Sequence, residues 1–121
     1  MTSIQSEHNI IYTVAEGKLT NEDYNRILPL FQEKIVSFDK VRWYFEMRDF
    51  KDWTLSAMWR DLKFDIKNKE HFEMVAMVGD KKWEKDLTRL MKPFTGAEIR
   101  FFNTEDRENA KLWITMIRDE D

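Results

Sequence analysis

The chain has no cysteine, and glycine, proline and histidine are scarce, at three, two and two residues among 121. Without cysteine there is no disulfide, no thiolate metal site and no cysteine nucleophile. Three glycines cannot build the glycine-rich loops that bind nucleotides and dinucleotides. The first residues have no basic region followed by an apolar stretch, and no apolar run approaches the roughly 20 residues that span a bilayer. We therefore expect a cytoplasmic protein without a signal peptide or transmembrane segment.

Basic charge is also not in excess, because the formal net charge is -3 at pH 7. A negative balance argues against nucleic-acid binding, which needs a basic surface. The two histidines, His8 and His71, are far apart in the sequence, and neither has a neighbour at the spacing of metal ligands. We expect no metal and no cofactor. No Gly-x-Ser-x-Gly motif is present, so a nucleophilic enzyme has no visible signature.

Short apolar segments alternate with amphipathic ones from Ile10 almost to the C-terminus, which is the order of an α/β fold. The apolar segments predict strands over residues 9–16, 41–47, 72–78 and 98–102, with an earlier edge strand over 4–8. Helices are predicted from Thr20, over 54–68, from about residue 81, and after Thr104. At 121 residues this is one domain, 1–121, with a four- or five-stranded mixed sheet and four helices.

Local signals support the ends of these helices. Thr20 and Asp23 fit a capping box, and Thr104 precedes two acidic residues, so we expect Thr104 to cap the last helix. Pro29 falls inside the first helical pattern and is expected to kink or split that helix, because it removes one backbone hydrogen bond.

Two strand-to-helix joints resemble each other, and both end a strand with polar and charged residues beside a Trp. Open α/β sheets bind ligands at the carboxyl ends of their strands, so these joints are the candidate ligand or partner loops. The side chains in question are Asp49, Lys51, Asp52, Trp53, Thr54 and Ser56 in the first joint, and Gly79, Asp80, Lys81, Lys82 and Trp83 in the second.

Each of these residues also has a structural explanation. Thr54 could accept a phosphate at a helix start, or Thr54 or Asp52 could simply cap that helix. The Gly79 joint could hold an anion or be an ordinary turn with exposed lysines. Trp53 and Trp83 could bound an apolar pocket or pack the first helical turns.

From Gly17 onward the chain resembles the SpoIIAA-like family of small bacterial proteins, which have a STAS-like fold. The resemblance rests on the segments 17–24, 49–54, 59–63, 77–83 and 93–102, completed by Ala110 and Trp113. It implies a mixed sheet with packed helices and no established enzymatic activity. In the antagonist branch of STAS domains, a Ser that follows an Asp accepts a phosphate and switches binding to a kinase. Thr54 takes that position here, but Trp53 and Leu55 depart from the pattern on either side.

Two functions follow as hypotheses. The first is a non-enzymatic regulatory or interaction module that works through loops 49–56 and 79–83, with a protein partner or a second copy of the chain as its target. The alternative is a carrier or sensor of a small apolar or amphipathic, lipid-like ligand, held between the sheet and the first two helices. Trp53, Trp59 or Phe31 would then be on the cavity wall, and Pro29 would act as a hinge.

Overall fold

The computed structural model describes residues 2–49, 71–80 and 98–116. These residues form one five-stranded sheet in the order β1-β2-β3-β4-β5, which matches the order along the chain. The strands are β1 Thr2–Glu7, β2 Ile10–Glu16, β3 Val41–Arg48, β4 Phe72–Gly79 and β5 Glu98–Asn103.

The sheet is mixed, as the sequence predicts. β1 pairs antiparallel with β2, and β2, β3, β4 and β5 run parallel to one another. A two-residue turn at His8 and Asn9 joins β1 to β2, and His8 has a positive φ of 55°. A positive φ at the first central residue alone is typical of type II′ turns, whose twist suits a hairpin. The N-terminal strand is therefore an antiparallel edge on a parallel sheet.

Helix α1 covers Asn21–Phe38 and begins with the predicted capping box. The Thr20 hydroxyl accepts a hydrogen bond from the Asp23 N–H at 3.1 Å, and the Asp23 carboxylate accepts one from the Thr20 N–H at 2.9 Å. The helix continues through Pro29, so of the two predicted effects, a kink or a split, the split does not occur. Pro29 and Asn25 are both exposed, so water can satisfy the Asn25 carbonyl that the proline leaves unpaired.

The C-terminal helix is preceded by a tighter turn. Residues Thr104–Asp106 form a 3₁₀-helix, and α2 covers Arg107–Ile114. The prediction that Thr104 caps α2 is wrong, because the Arg107 N–H donates back to the Thr104 carbonyl and draws Thr104 into the 3₁₀ turn. The N-cap residue of α2 is Asp106, which makes no side-chain capping bond.

The two faces of the sheet carry separate cores. On the face of α1, the rings of Trp43 and Phe72 pack edge-to-face on Phe31, at 5.3 and 5.0 Å between centroids. The indole N–H of Trp43 donates to the buried hydroxyl of Thr13 at 3.1 Å. On the other face, α2 packs its buried side chains on β3 and β4. The residues of this second core are Ile10, Tyr44, Met74, Ala76, Val78, Ala110, Trp113 and Ile114.

The helices predicted over 54–68 and from about residue 81 lie outside the described residues, so the described part of the fold contains α1, α2 and the 3₁₀-helix. In this part of the chain, no helix is both long and apolar enough to cross a membrane.

Candidate functional site at the carboxyl edge of the sheet

The parallel strands end together at one edge of the sheet, which we call the carboxyl edge. Glu16 at the end of β2 is in register with Arg48 at the end of β3, and Gly79 on β4 is in register with Asn103 on β5. The N–H of Gly17 donates to the Arg48 carbonyl at 3.0 Å, which holds the ends of β2 and β3 together. The start of α2 follows β5 through the 3₁₀-helix, and its Arg107 reaches a side chain of β3 at this edge.

Three of the predicted loop residues lie within the described part of this edge. Asp49 is exposed and follows β3 with a positive φ of 46°. Gly79 is the buried last residue of β4, and the exposed Asp80 follows it. The other predicted residues are outside the described residues: Lys51, Asp52, Trp53, Thr54, Ser56, Lys81, Lys82 and Trp83.

Glu46, a buried carboxylate, is the common acceptor of a network of hydrogen bonds and ion pairs at this edge. Its side chain lies on the α2 face of β3, and Glu46 is only 1% exposed. The Tyr44 hydroxyl donates to Glu46 Oε1 at 2.7 Å, and the Arg48 Nε–H donates to Oε2 at 2.7 Å. Arg107, the first residue of α2, donates to Oε2 from Nη1 at 3.5 Å. We refer to Tyr44, Glu46, Arg48 and Arg107 as the Glu46 cluster.

The contacts within the Glu46 cluster shift the pKa values of Glu46, Tyr44 and Arg48. Burial raises the pKa of Glu46, but the hydrogen bonds from Tyr44 and Arg48 and the charges of Arg48 and Arg107 outweigh it, so the net pKa is lowered. Burial, followed by the hydrogen bond to Glu46 and the charge of that carboxylate, raises the pKa of Tyr44. The Glu46 carboxylate also raises the pKa of Arg48. A carboxylate and a phenol whose pKa values are moved away from neutrality are poor proton-transfer groups near pH 7.

The cluster contains two positive charges around one buried negative charge, and Glu16 adds a second negative charge beside Arg48. The Glu46 cluster together with Glu16 is therefore close to neutral in charge, and the exposed Asp49 and Asp80 add negative charge beside it. The side chains of Arg48 and Arg107 are 48% and 39% exposed, so both guanidinium groups reach solvent while one end of each is fixed. Such an arrangement presents ordered charges at a surface.

Sequence reasoning missed the Glu46 cluster, although a signal was present. The even-numbered residues of β3 are Arg42, Tyr44, Glu46 and Arg48, and they alternate with apolar residues. A period of two places all four on one face of the sheet. The abundance of apolar residues predicts a buried central strand, but it accounts only for the odd-numbered residues of β3.

The opposite edge of the sheet carries both histidines. His71 precedes β4, and its Nδ1 lies 2.6 Å from the Asp39 carbonyl oxygen. His8 is in the β1–β2 turn and lines an open pocket of about 440 Å³. Within residues 2–49, 71–80 and 98–116, no group of three or more His, Cys, Asp or Glu side chains is placed to hold a metal ion. The pocket is lined by Glu7, His8, Asn9, Ile10, Tyr12, Arg42, Thr115 and Met116.

Comparison with known proteins agrees with this architecture. The family model described as SpoIIAA-like matches residues 10–115, so the chain belongs to the SpoIIAA-like family. The fold is similar to the crystal structure of an uncharacterized protein of the DUF3478 family with a SpoIIAA-like fold, from Shewanella loihica PV-4. The two chains are 28% identical with a TM-score of 0.66, and the match covers 94% of this chain and 92% of the Shewanella chain. No curated protein matches the chain.

Proposed function

We propose that this protein is a non-enzymatic regulatory or interaction module of a bacterial cytoplasm, and that it binds a protein partner through the carboxyl edge. The proposed surface comprises loops 49–56 and 79–83. Membership of the SpoIIAA-like family and the ordered charges of the Glu46 cluster support this proposal.

The observation that carries the proposal is the Glu46 cluster. A fully hydrogen-bonded carboxylate on a central strand fixes two half-exposed arginines, one on β3 and one on α2. Their positions are set before a partner arrives, which lowers the entropy lost on binding. Exposed Asp49 and Asp80 lie on neighbouring strand ends. Two ordered arginines beside two exposed carboxylates favour specificity for a partner with the complementary charge pattern.

The proposal is tested by changing exposed charges at this edge without touching the cluster. The test variant is Asp49→Asn/Asp80→Lys. Asparagine is chosen for position 49 because, like aspartate, it tolerates the positive φ found there. The matched control is Glu33→Lys/Asp39→Asn, which makes the same charge change near the opposite edge, where Asp39 also has a positive φ of 69°. Each chain is crosslinked in cells of its own source, and the bound proteins are quantified by mass spectrometry.

We expect to find a partner that the wild-type chain and the control crosslink in equal amounts. The edge variant should crosslink about tenfold less of this partner, because a few charge contacts are lost. A partner retained equally by all three chains would place the binding surface elsewhere.

Thr54→Glu is expected to change the affinity for the same partner if Thr54 is a phosphate-regulated position. A phosphate adduct on Thr54 in protein from its own source would support that regulation, and an unmodified Thr54 would oppose it.

The carrier or sensor of a small amphipathic ligand is the second candidate. The observation in its favour is the open pocket of about 440 Å³, where Ile10, Tyr12 and Met116 supply apolar surface. This pocket lies on the α2 side of the sheet and not between the sheet and the first two helices, where the sequence predicts the ligand. Phe31, expected on the wall of a ligand cavity, instead contacts Trp43 and Phe72 in the core. Native and denaturing mass spectrometry of protein from its own source separates the two functions, because a carrier releases a small molecule on denaturation.

A further inference from the structure

The two outer strands of the described sheet differ in how they are protected. Outer strands with unpaired backbone groups tend to pair with other chains unless charges, proline or bulges block them. On β5, Glu98 and Arg100 place opposite charges on the strand, at 3.9 Å from each other. The six residues of β1 are Thr-Ser-Ile-Gln-Ser-Glu, with Glu7 as their single charge and without proline. All six residues pair one-to-one with consecutive residues of β2, so no bulge interrupts the strand.

The free side of β1 has a defined set of backbone groups. In a two-residue hairpin the closing pair, here Glu7 and Ile10, exchanges its hydrogen bonds within the hairpin. Antiparallel pairs alternate, so Thr2, Ile4 and Ser6 direct their backbone N–H and C=O groups away from β2. Within the described residues, no strand lies on that side of β1.

We propose that a second copy of this chain pairs antiparallel with β1, about a two-fold axis at Ile4, and joins the two five-stranded sheets into one. This register places Ile4 opposite Ile4 of the second copy, and Thr2 opposite Ser6 of the second copy. It is the register in which all three outward-facing residues of each copy find a partner. About six backbone hydrogen bonds form across the axis.

The charges and apolar contacts of β1 fit this register. The two Glu7 side chains lie beyond opposite ends of the paired region, about 20 Å apart at the usual rise per residue. That separation exceeds the Debye length of about 8 Å at physiological salt, so the repulsion between them is screened. Ile4 is half-buried against the core on the α1 face, and pairing brings two Ile4 side chains together on that face.

A single pair of six-residue strands is a small interface, at or below the lower end of specific protein contacts. The dimer is therefore concentration-dependent. Sedimentation of the wild-type chain between about 10 µM and about 1 mM is expected to shift from monomer towards dimer, since small interfaces bind weakly.

The decisive variant is Ser6→Pro. Proline removes the outward N–H of Ser6 and leaves the hydrogen bonds between β1 and β2 intact, which is the position where an edge strand tolerates proline. Because the axis is two-fold, one substitution removes two hydrogen bonds from the dimer. We expect the dissociation constant to rise by about tenfold or more. The melting temperature checks that the chain remains folded, and Ser3→Lys/Gln5→Lys blocks pairing by charge if the proline variant is unstable.

The register is tested by disulfide trapping, which suits a chain without cysteine. Ser3 and Gln5 of the second copy are opposite each other in the proposed register, where Cα atoms are about 4.5 Å apart, within disulfide range. Mixing Ser3→Cys with Gln5→Cys should give heterodimers under oxidation, in excess over either variant alone. Ser37→Cys, on the exposed side of α1, is the control and should crosslink only at a background rate.

A wild-type chain that remains monomeric at about 1 mM would overturn the proposal, since even weak interfaces associate at that concentration. A dimer that Ser6→Pro and Ser3→Lys/Gln5→Lys leave unchanged would also overturn it, because the dimer would then use another surface. These outcomes are independent of the carboxyl-edge test, which changes residues that follow β3 and β4 and leaves β1 untouched.

Discussion

Replacing Glu46 with glutamine tests the central element of the candidate site. The substitution keeps the size and shape of the side chain and removes its negative charge. Tyr44 can still donate to the amide oxygen, but Arg48 and Arg107 lose the carboxylate that neutralises them. We expect a clear loss of stability without a change of fold.

The magnitude follows from burial and exposure. Removing one partner of a fully buried ion pair costs about 3–5 kcal/mol. Glu46 is buried, but Arg48 and Arg107 are 48% and 39% exposed, so water partly compensates for the charge that they lose. We therefore expect the free energy of unfolding to fall by about 2–3 kcal/mol, below the fully buried range. For a chain of this size the melting temperature should fall by about 10 °C.

Urea unfolding followed by tryptophan fluorescence measures this change, since Trp43 and Trp113 are buried in the folded state. The control is Glu98→Gln, which removes a carboxylate from an exposed ion pair at 3.9 Å and should cost at most about 0.5 kcal/mol. If Glu46→Gln costs no more than the control, the ionised carboxylate does not hold this edge together and our reasoning is refuted.

The pH dependence provides a second readout. The pKa of Glu46 is lowered in the folded protein, so its stabilisation is fully present above the unfolded value of about 4.3. The stabilisation is lost as the pH falls through the lower, folded value, where the wild-type carboxyl becomes neutral like the amide. The stability difference between wild type and Glu46→Gln should therefore shrink on acidification, and a difference independent of pH would contradict the assignment.

Three further substitutions test the fold. Asp23→Asn weakens the capping box and should cost about 1 kcal/mol at neutral pH. Burial raises the pKa of Asp23, but hydrogen bonds led by the Thr20 N–H lower it overall. This cost should therefore begin to shrink below the unfolded value of about 3.9 and be lost as the pH falls through the lower, folded value. Thr13→Val removes the acceptor of the Trp43 indole and should cost about 1–3 kcal/mol, with a changed near-UV spectrum. Phe31→Ala should cost about 3–5 kcal/mol in urea unfolding.

Each of these has a contradicting outcome. A cost for Asp23→Asn that does not decrease at all on acidification would mean that its charge is not the cause. An unchanged near-UV spectrum for Thr13→Val would mean that the indole does not depend on that hydroxyl. Phe31→Leu, which keeps most of the apolar volume, is the control for Phe31→Ala and should cost much less. Equal costs for the two would indicate that Phe31 does not fill the core as described.

Local sequence determined the elements of this fold. The capping box of Thr20 and Asp23 is a local interaction between residues three apart, so it could be predicted without knowledge of the rest of the chain. The apolar residues of β3 and β4 indicated buried strands because a central strand is covered on both faces. The antiparallel edge followed from the short turn between β1 and β2, which cannot join parallel strands.

The tertiary structure decided the chemistry of the site. Arg107 is 61 residues from Glu46 in sequence, and only the packing of α2 on β3 brings the two together. The 3₁₀-helix likewise shifts the start of α2 to Arg107. The acidic residues after Thr104 predict a helix start at Thr104 instead. Sequence patterns report burial and local hydrogen bonds, because those depend on neighbours a few residues away. The partners of a buried charge depend on how distant elements pack, so they appear only in the folded chain.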